Sequence, residues 1–206
     1  MDSRAESQTG SPSLLPILRS QQQGEILAAV LGAPDEELSV AELSRQTGAA
    51  YASVHREIER AESAGIVQSR RLGNVRMVRA NPQSPYFEGL SSVLVRAFGP
   101  PAVLGEALAG IGGIESAYLF GSWAARYVGQ TGDRPVHDLD MLVLGEPNRN
   151  SLFEATAAVS KKLGREVQVT IREPGWLDHG TGPFHDTVVA RPLVPINESR
   201  VGVERQ

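Results

Sequence analysis

Apolar residues recur at helical spacing along the first third of the chain. Between Gln21 and Leu31 they fall at Ile26, Leu27, Val30 and Leu31, which predicts an amphipathic helix. Ser39, followed three residues later by Glu42, reads as a capping box that opens a second short helix. That helix buries Val40 and Leu43 and stops at Gly48. A third helix is predicted from about Ala50 to Ser63, with Val54, Ile58 and Ala61 on one face, ending at Ala64-Gly65. Ile66 to Arg71 and Val75 to Ala80 then read as two strands joined at Gly73-Asn74, a pair that accepts positive φ.

The pattern changes near Asn81-Pro82-Gln83-Ser84-Pro85, which reads as a domain junction. Beyond it, Tyr86 to Phe98 carries Phe87, Leu90, Val93, Leu94 and Phe98 as an apolar stripe. This helix is expected to pack the two domains together or to make a dimer contact. A further helix (Ala102 to Leu108) follows, then strands over Ile114 to Phe120, His137 to Leu144 and Glu166 to Ile171. Between the last two, a helix is expected to bury Leu152, Phe153, Ala157 and Leu163 and to end at an exposed Lys161-Lys162 pair. The expected organisation is a tail over 1–19 without fixed structure, a first domain over 20–81, a linker helix over 82–99 and a second domain over 100–206. The predicted class is α/β, of the α+β kind with a small mixed sheet, and no internal repeat is visible.

Composition narrows the function classes. The 206 residues are 41% hydrophobic and 21% charged and include no cysteine, which excludes disulfides, thiolate metal sites and cysteine nucleophiles. No apolar run approaches the roughly 20 residues needed to span a bilayer. The first residues, MDSRAESQTGSPS, have no apolar core to serve as a secretory signal, so a cytoplasmic location away from membranes is expected. The net charge of −4 argues against a generic polyanion binder, and any nucleic-acid surface must be local. One local candidate exists. From Arg45 to Arg79 there are seven arginines and three glutamates, whereas Gly24 to Glu42 holds five acids and no base.

The order helix, short helix, turn, helix and two-stranded ribbon is the winged helix-turn-helix arrangement. Ala41-Glu42-Leu43-Ser44-Arg45-Gln46-Thr47-Gly48, with Ser53-Val54-His55-Arg56-Glu57-Ile58 and Ala64-Gly65-Ile66-Val67, resembles bacterial winged-helix regulators of the ArsR and MarR type over about 60 residues. In that fold the third helix enters the major groove of double-stranded DNA. Burying Val54, Ile58 and Ala61 leaves Tyr51, Ser53, Arg56, Glu57 and Arg60 outward. Arg56 suits a guanine edge, and Tyr51 and Ser53 suit phosphate or base contacts. Arg70, Arg71, Arg76 and Arg79 on the ribbon are placed to neutralise phosphates. The competing expectation is a solvated face paired with Glu57, Glu59 and Glu62. His55 reads as an ordinary helix-surface residue.

The second domain carries the chemistry. Ile114 to Phe120 runs into Gly121-Ser122, and the next strand bears Asp138 and Asp140 on one face, about 7 Å apart along the backbone. Two carboxylates that close repel unless a cation lies between them, and magnesium with its preference for oxygen ligands is the natural occupant. Without a side chain at Gly121 a phosphate can approach the backbone, and the Ser122 hydroxyl with free N–H groups at the helix start favours its charge. Phe120-Gly121-Ser122 followed by Asp138-Leu139-Asp140-Met141 resembles the nucleotidyltransferase fold of the DNA polymerase β superfamily, over roughly residues 100–196. The resemblance implies that Asp138 and Asp140 are the catalytic, magnesium-holding acids. It also implies that Gly121, Ser122 and Arg126 bind the phosphates of ATP or another nucleoside triphosphate. The whole arrangement is similar to proteins described as ArsR-like regulators with a nucleotidyltransferase domain.

Two departures from that family stand out. The segment from Trp123 to His137, holding Gly129, Gly132, Asp133 and Pro135, is long. The third acid of active members aligns with Gln168, with Glu166, two residues earlier on the same face, as the alternative. His137, His179 and His185 lack zinc-site spacing, and Trp123 and Trp176 read as packing residues. The expected function is a DNA-binding transcriptional regulator whose second domain binds a magnesium nucleotide with weak or no transfer. Its rivals are an active, antitoxin-like transferase that adenylylates a toxin-like partner protein, and a non-catalytic interaction module. A homodimer reading two half-sites is the expected assembly.

Overall fold

The computed structural model describes residues 18–130, 136 and 138–196, which form an α+β protein with two large apolar clusters and a smaller third one. The expectation for residues 1–17 lies outside the described residues, as do 131–135, with Gly132, Asp133 and Pro135, His137 and 197–206.

The first cluster is built by α1 (Gln21–Leu31), β1 (Leu38–Ser39), α2 (Val40–Thr47), α3 (Tyr51–Ser63) and the hairpin of β2 (Val67–Leu72) and β3 (Val75–Ala80). Each helix opens and closes as its local chemistry dictates. Ser20 caps α1 by accepting from the Gln23 N–H at 3.2 Å. Residues 18 and 19 are therefore part of the fold rather than tail: Leu18 packs on the cluster and Arg19 reaches Glu57 at 2.7 Å. The Ser39 side chain accepts from the Glu42 N–H at 3.1 Å while the Glu42 carboxylate accepts from the Ser39 N–H at 2.7 Å. Two otherwise unpaired donors are satisfied by this exchange. Gly48 ends α2 at φ 66°, a left-handed value. The hairpin turns at Gly73 (φ 59°) with Asn74 at negative φ, a combination found in type II′ turns. β1, too short to leave a period in the sequence, adds a third strand antiparallel to β3.

The helix α4 (Phe87–Phe98) joins the two clusters, contributing Leu94 to the first and Val95 to the second. It lies against α1 without a gap, since a Cβ on Gly24 would overlap the Phe98 ring. The Ser91 hydroxyl also donates to the Leu31 carbonyl at 3.1 Å. Val93, expected in the apolar stripe, points outward and is half exposed.

The second cluster is organised by a sheet in the order β6-β5-β4-β7, with β4 (Ile114–Phe120), β5 (Asp138–Gly145), β6 (Glu166–Arg172) and β7 (Val194–Pro195). β5 and β6 run parallel, and β4 is antiparallel to β5 and β7. Crossing from β5 to β6 is α7 (Arg149–Leu163), with α5 (Pro100–Leu108) and α6 (Gly121–Tyr127) preceding it in the chain. Leu119, Leu139, Met141 and Val143 point to one side of the sheet, among Leu104, Trp123 and Leu152. Leu142 and Leu144 point to the other, under Trp176 and Val188 from α8 (Trp176–His179) and α9 (Pro183–Val189). On α7 the buried stripe is Leu152, Thr156 and Val159, so Phe153 and Ala157 are exposed, contrary to the sequence expectation. Thr156 takes a buried place because its hydroxyl donates to the Leu152 carbonyl at 3.0 Å. Among the described residues no helix is long and apolar enough to cross a membrane.

Removing the α2 cap tests the local account. Ser39→Ala should cost about 1 kcal/mol of stability by urea unfolding, since the Glu42 N–H loses its acceptor while the bond from the backbone N–H of residue 39 remains.

Candidate functional site

The last residue of β4, Phe120, stands in register with Asp140 of β5. The chain then turns into α6 at Gly121, whose φ of 73° favours glycine over any residue bearing a side chain. A Cβ built at Gly121 would overlap the Asp140 carboxylate. A bare backbone corner and a carboxylate are thus packed against each other. Two residues back along β5, Asp138 projects from the same face, while Leu139 between them is fully buried on the opposite side. The parallel register of β6 sets Glu166 beside Asp138 and Gln168 beside Asp140. Gln168 reaches diagonally, its Nε2 donating to Asp138 Oδ2 at 3.0 Å. Ser122, next after the corner, is exposed.

Burial and then the neighbouring charge of Asp138 push the Asp140 carboxyl above the ordinary carboxylate range. Two acids held this way form an oxygen-only donor set, which suits magnesium rather than zinc. A divalent ion between them would remove the repulsion that raises Asp140. Its remaining positions would fall to water and phosphate oxygens, because among the described residues no group of three or more His, Asp or Glu gathers around a common point. At seven residues α6 is short, so the corner's accessible backbone matters more than a helix dipole.

Arg126 is placed elsewhere than expected. One helical turn beyond Ser122, its guanidinium pairs with Asp35 in the connection between α1 and β1. The adjacent Glu36 pairs with Arg165, just before β6, at 2.8 Å. These two acids supply counter-charge across the junction of the two halves. A cavity of about 240 Å³ lies there as well, between Ala28, Leu38, Phe98, Trp123 and Arg165.

The expected DNA-contacting residues gather on α3 and the hairpin, with most of their charge already matched. Tyr51 is 54% exposed and stacks on His55. Arg56 is exposed and bonds only within its own helix, to Ser53 at 3.3 Å. Arg60 pairs with Glu57 at 2.6 Å, Arg70 with Glu37 at 2.5 Å and Arg76 with Glu62 at 2.5 Å. His55 is more than a surface residue, lying 3.2 Å from Arg76 and 3.5 Å from Glu59. Arg70 draws the Glu37 carboxyl below its ordinary range, and the Ser69 hydroxyl, followed by Arg76, does the same for Glu62. Among the described residues Arg45, Arg56, Arg71 and Arg79 make no ion pair. The acids Asp35, Glu36 and Glu37 were missed as partners. Their signal was the run of five acids without a base between Gly24 and Glu42, which had to be neutralised by something folded onto it. Also missed was a cluster of Arg172, Trp176 and Phe184 on the carboxylate face of the sheet.

Searches of family models, curated proteins and solved structures find no match to this chain.

Two outcomes are expected from the site itself. Gly121→Ala should lose roughly 1–3 kcal/mol in chemical unfolding, from backbone strain together with displacement of Asp140. A raised carboxyl pKa stabilises the fold below the ordinary Asp range, and that stabilisation is lost as pH rises through the raised value. Asp140→Asn should therefore have a higher Tm than wild type near pH 7, and the gap should close on acidification. A wild type that is the more stable form near pH 7 without metal would contradict this.

Proposed function

We propose that the chain is a cytoplasmic DNA-binding transcriptional regulator, with a winged helix-turn-helix first domain and a nucleotidyltransferase-like second domain that binds a magnesium nucleotide. The observation that carries the second half is the contact of the Gly121 corner with Asp140, with Asp138 beside it on one sheet face. Asp138 and Asp140 would hold the ion. The ion would in turn neutralise phosphate charge, the chemistry on which nucleotidyl transfer depends. The Gly121 backbone and the Ser122 hydroxyl would receive the phosphates. Arg126 is left out of this set because it serves the junction.

Gln168, which aligns with the third acid of active members of the resembled family, sits beside Asp140, and its carboxamide can neither take a proton from an attacking hydroxyl nor add ligand charge. Binding with weak or absent transfer follows, which suits a sensor. An active transferase acting on a partner protein remains the second reading on one observation. Glu166 is exposed on the same face, in register with Asp138.

For the first domain the support is the exposed outer face of α3 with the hairpin beside it. Arg56 is the residue assigned to a base edge, and Tyr51, Ser53, Arg60, Arg70, Arg71 and Arg76 are assigned to the backbone of the duplex. Arg60, Arg70 and Arg76 would share their carboxylate partners with phosphate, which lowers the net gain from each contact. A homodimer would present two such faces to two half-sites.

DNA retardation with the chain's own upstream sequence, with and without Mg-ATP, tests both halves. Arg56→Ala should cost about 1–3 kcal/mol in affinity at fixed salt. Asp138→Ala should erase any effect of Mg-ATP while leaving nucleotide-free DNA binding intact. Transfer of label from ATP to a partner protein, lost in Glu166→Gln but kept in Gln168→Ala, would move the chain to the transferase reading.

A further inference from the structure

The carboxylate face of the sheet continues past the two acids into a group of aromatic rings. Phe120, the cross-strand neighbour of Asp140, meets the ring of Phe184 edge-on at 6.0 Å between centroids. Phe184 also packs against Trp176 at 5.6 Å, tilted by 36°. Arg172 projects from β6 on the same face, its guanidinium carbon 5.2 Å from the Phe184 centroid and 5.4 Å from that of Trp176. Trp176 is buried and closes the sheet over Leu142 and Leu144. Phe184 differs in being 40% exposed. An apolar ring is thus held at the surface by an edge contact, a tilted neighbour and a cation, within one ring's width of the residue paired to Asp140.

Trp176 is turned into the sheet, whereas Phe184 leaves part of its ring to solvent on the same face. A nucleotide whose phosphates rest on a metal held by Asp138 and Asp140 must lay its sugar and base somewhere along this face. Phe184, in ring contact with Phe120, offers a partly exposed aromatic surface on that side. We propose that Phe184, braced by Trp176 and Arg172, is the platform on which the base of the bound nucleotide stacks. The ligand is then a nucleoside triphosphate and not an inorganic polyphosphate. Stacking on an aromatic side chain tolerates any base, since every base has a π face, and the adjacent guanidinium adds cation–π attraction. The proposal rests on the metal-phosphate reading of Asp138 and Asp140 and assigns the part of the ligand that reading leaves open.

Titration calorimetry on the full chain, in excess magnesium, with ATP and with inorganic tripolyphosphate as separate ligands, tests it. Both should bind, and ATP should bind roughly tenfold or more tightly, a gain typical of one stacked base. Phe184→Ala should abolish that advantage and leave tripolyphosphate affinity unchanged. Phe184→Leu, which keeps apolar bulk against Trp176, should lose the advantage equally, whereas Phe184→Tyr should retain it. Equal affinities of wild type for the two ligands would overturn the platform and leave the phosphate site standing. An advantage that survives Phe184→Ala and Phe184→Leu would overturn it as well. Failure of both ligands to bind would remove the metal-phosphate reading and the platform together.

Discussion

The Asp140 carboxylate occupies the space that a side chain at position 121 would need, and much of the second half is arranged around that single close approach. It requires β4 to end at Phe120, in register with Asp140, and requires the chain to leave the sheet at positive φ. It also sets a carboxylate against backbone rather than against water, which costs solvation and raises the proton affinity of the group. With Leu139, Met141 and Val143 buried on the reverse side, β5 cannot slip by one residue without exchanging its acids for its core. The same alternation that stabilises the sheet therefore keeps both acids on one face.

The two halves meet through apolar contact along α4 and through acids on one short connection. Leu94 and Val95, adjacent in sequence, point into different cores, so α4 cannot rotate without disturbing both. Asp35 and Glu36 add two ion pairs, to Arg126 at the far end of the helix that starts at the Gly121 corner and to Arg165 immediately before β6. Both arginines thus belong to segments that also frame the carboxylate face. The pairs are partly exposed, so each contributes modestly to stability. Their significance lies in connectivity: α6 and the start of β6 are both tied to the connection between α1 and β1.

How far the sequence was legible depended on the range of the interactions involved. α1, the capping box, the glycine turns and β4 followed from neighbours within a few residues, and their bounds fell within a residue or two of expectation. The face shared by Asp138 and Asp140 was legible for the same reason, since period-two alternation is local. Contacts distant in the chain were not. Glu37 meets Arg70 across 33 residues and Asp35 meets Arg126 across 91, and no spacing rule links such positions. Phe153 misled because its apolar character suggested burial, whereas the packing of α7 against the sheet selected Leu152, Thr156 and Val159 instead. The choice between Gln168 and Glu166 turned on strand register. Parallel pairing sets Gln168 beside Asp140 and Glu166 beside Asp138, and only coordinates could supply that register.

Gln168 also bears on the electrostatics of the two acids. A third carboxylate at its position would bring another negative charge beside Asp140 and within hydrogen-bonding reach of Asp138, in a place where Asp140 is already pushed toward protonation. The carboxamide adds no charge there, and its N–H donates to Asp138 at 3.0 Å. The same residue that removes a base for chemistry therefore also leaves Asp140 with one fewer charged neighbour than a carboxylate would give it.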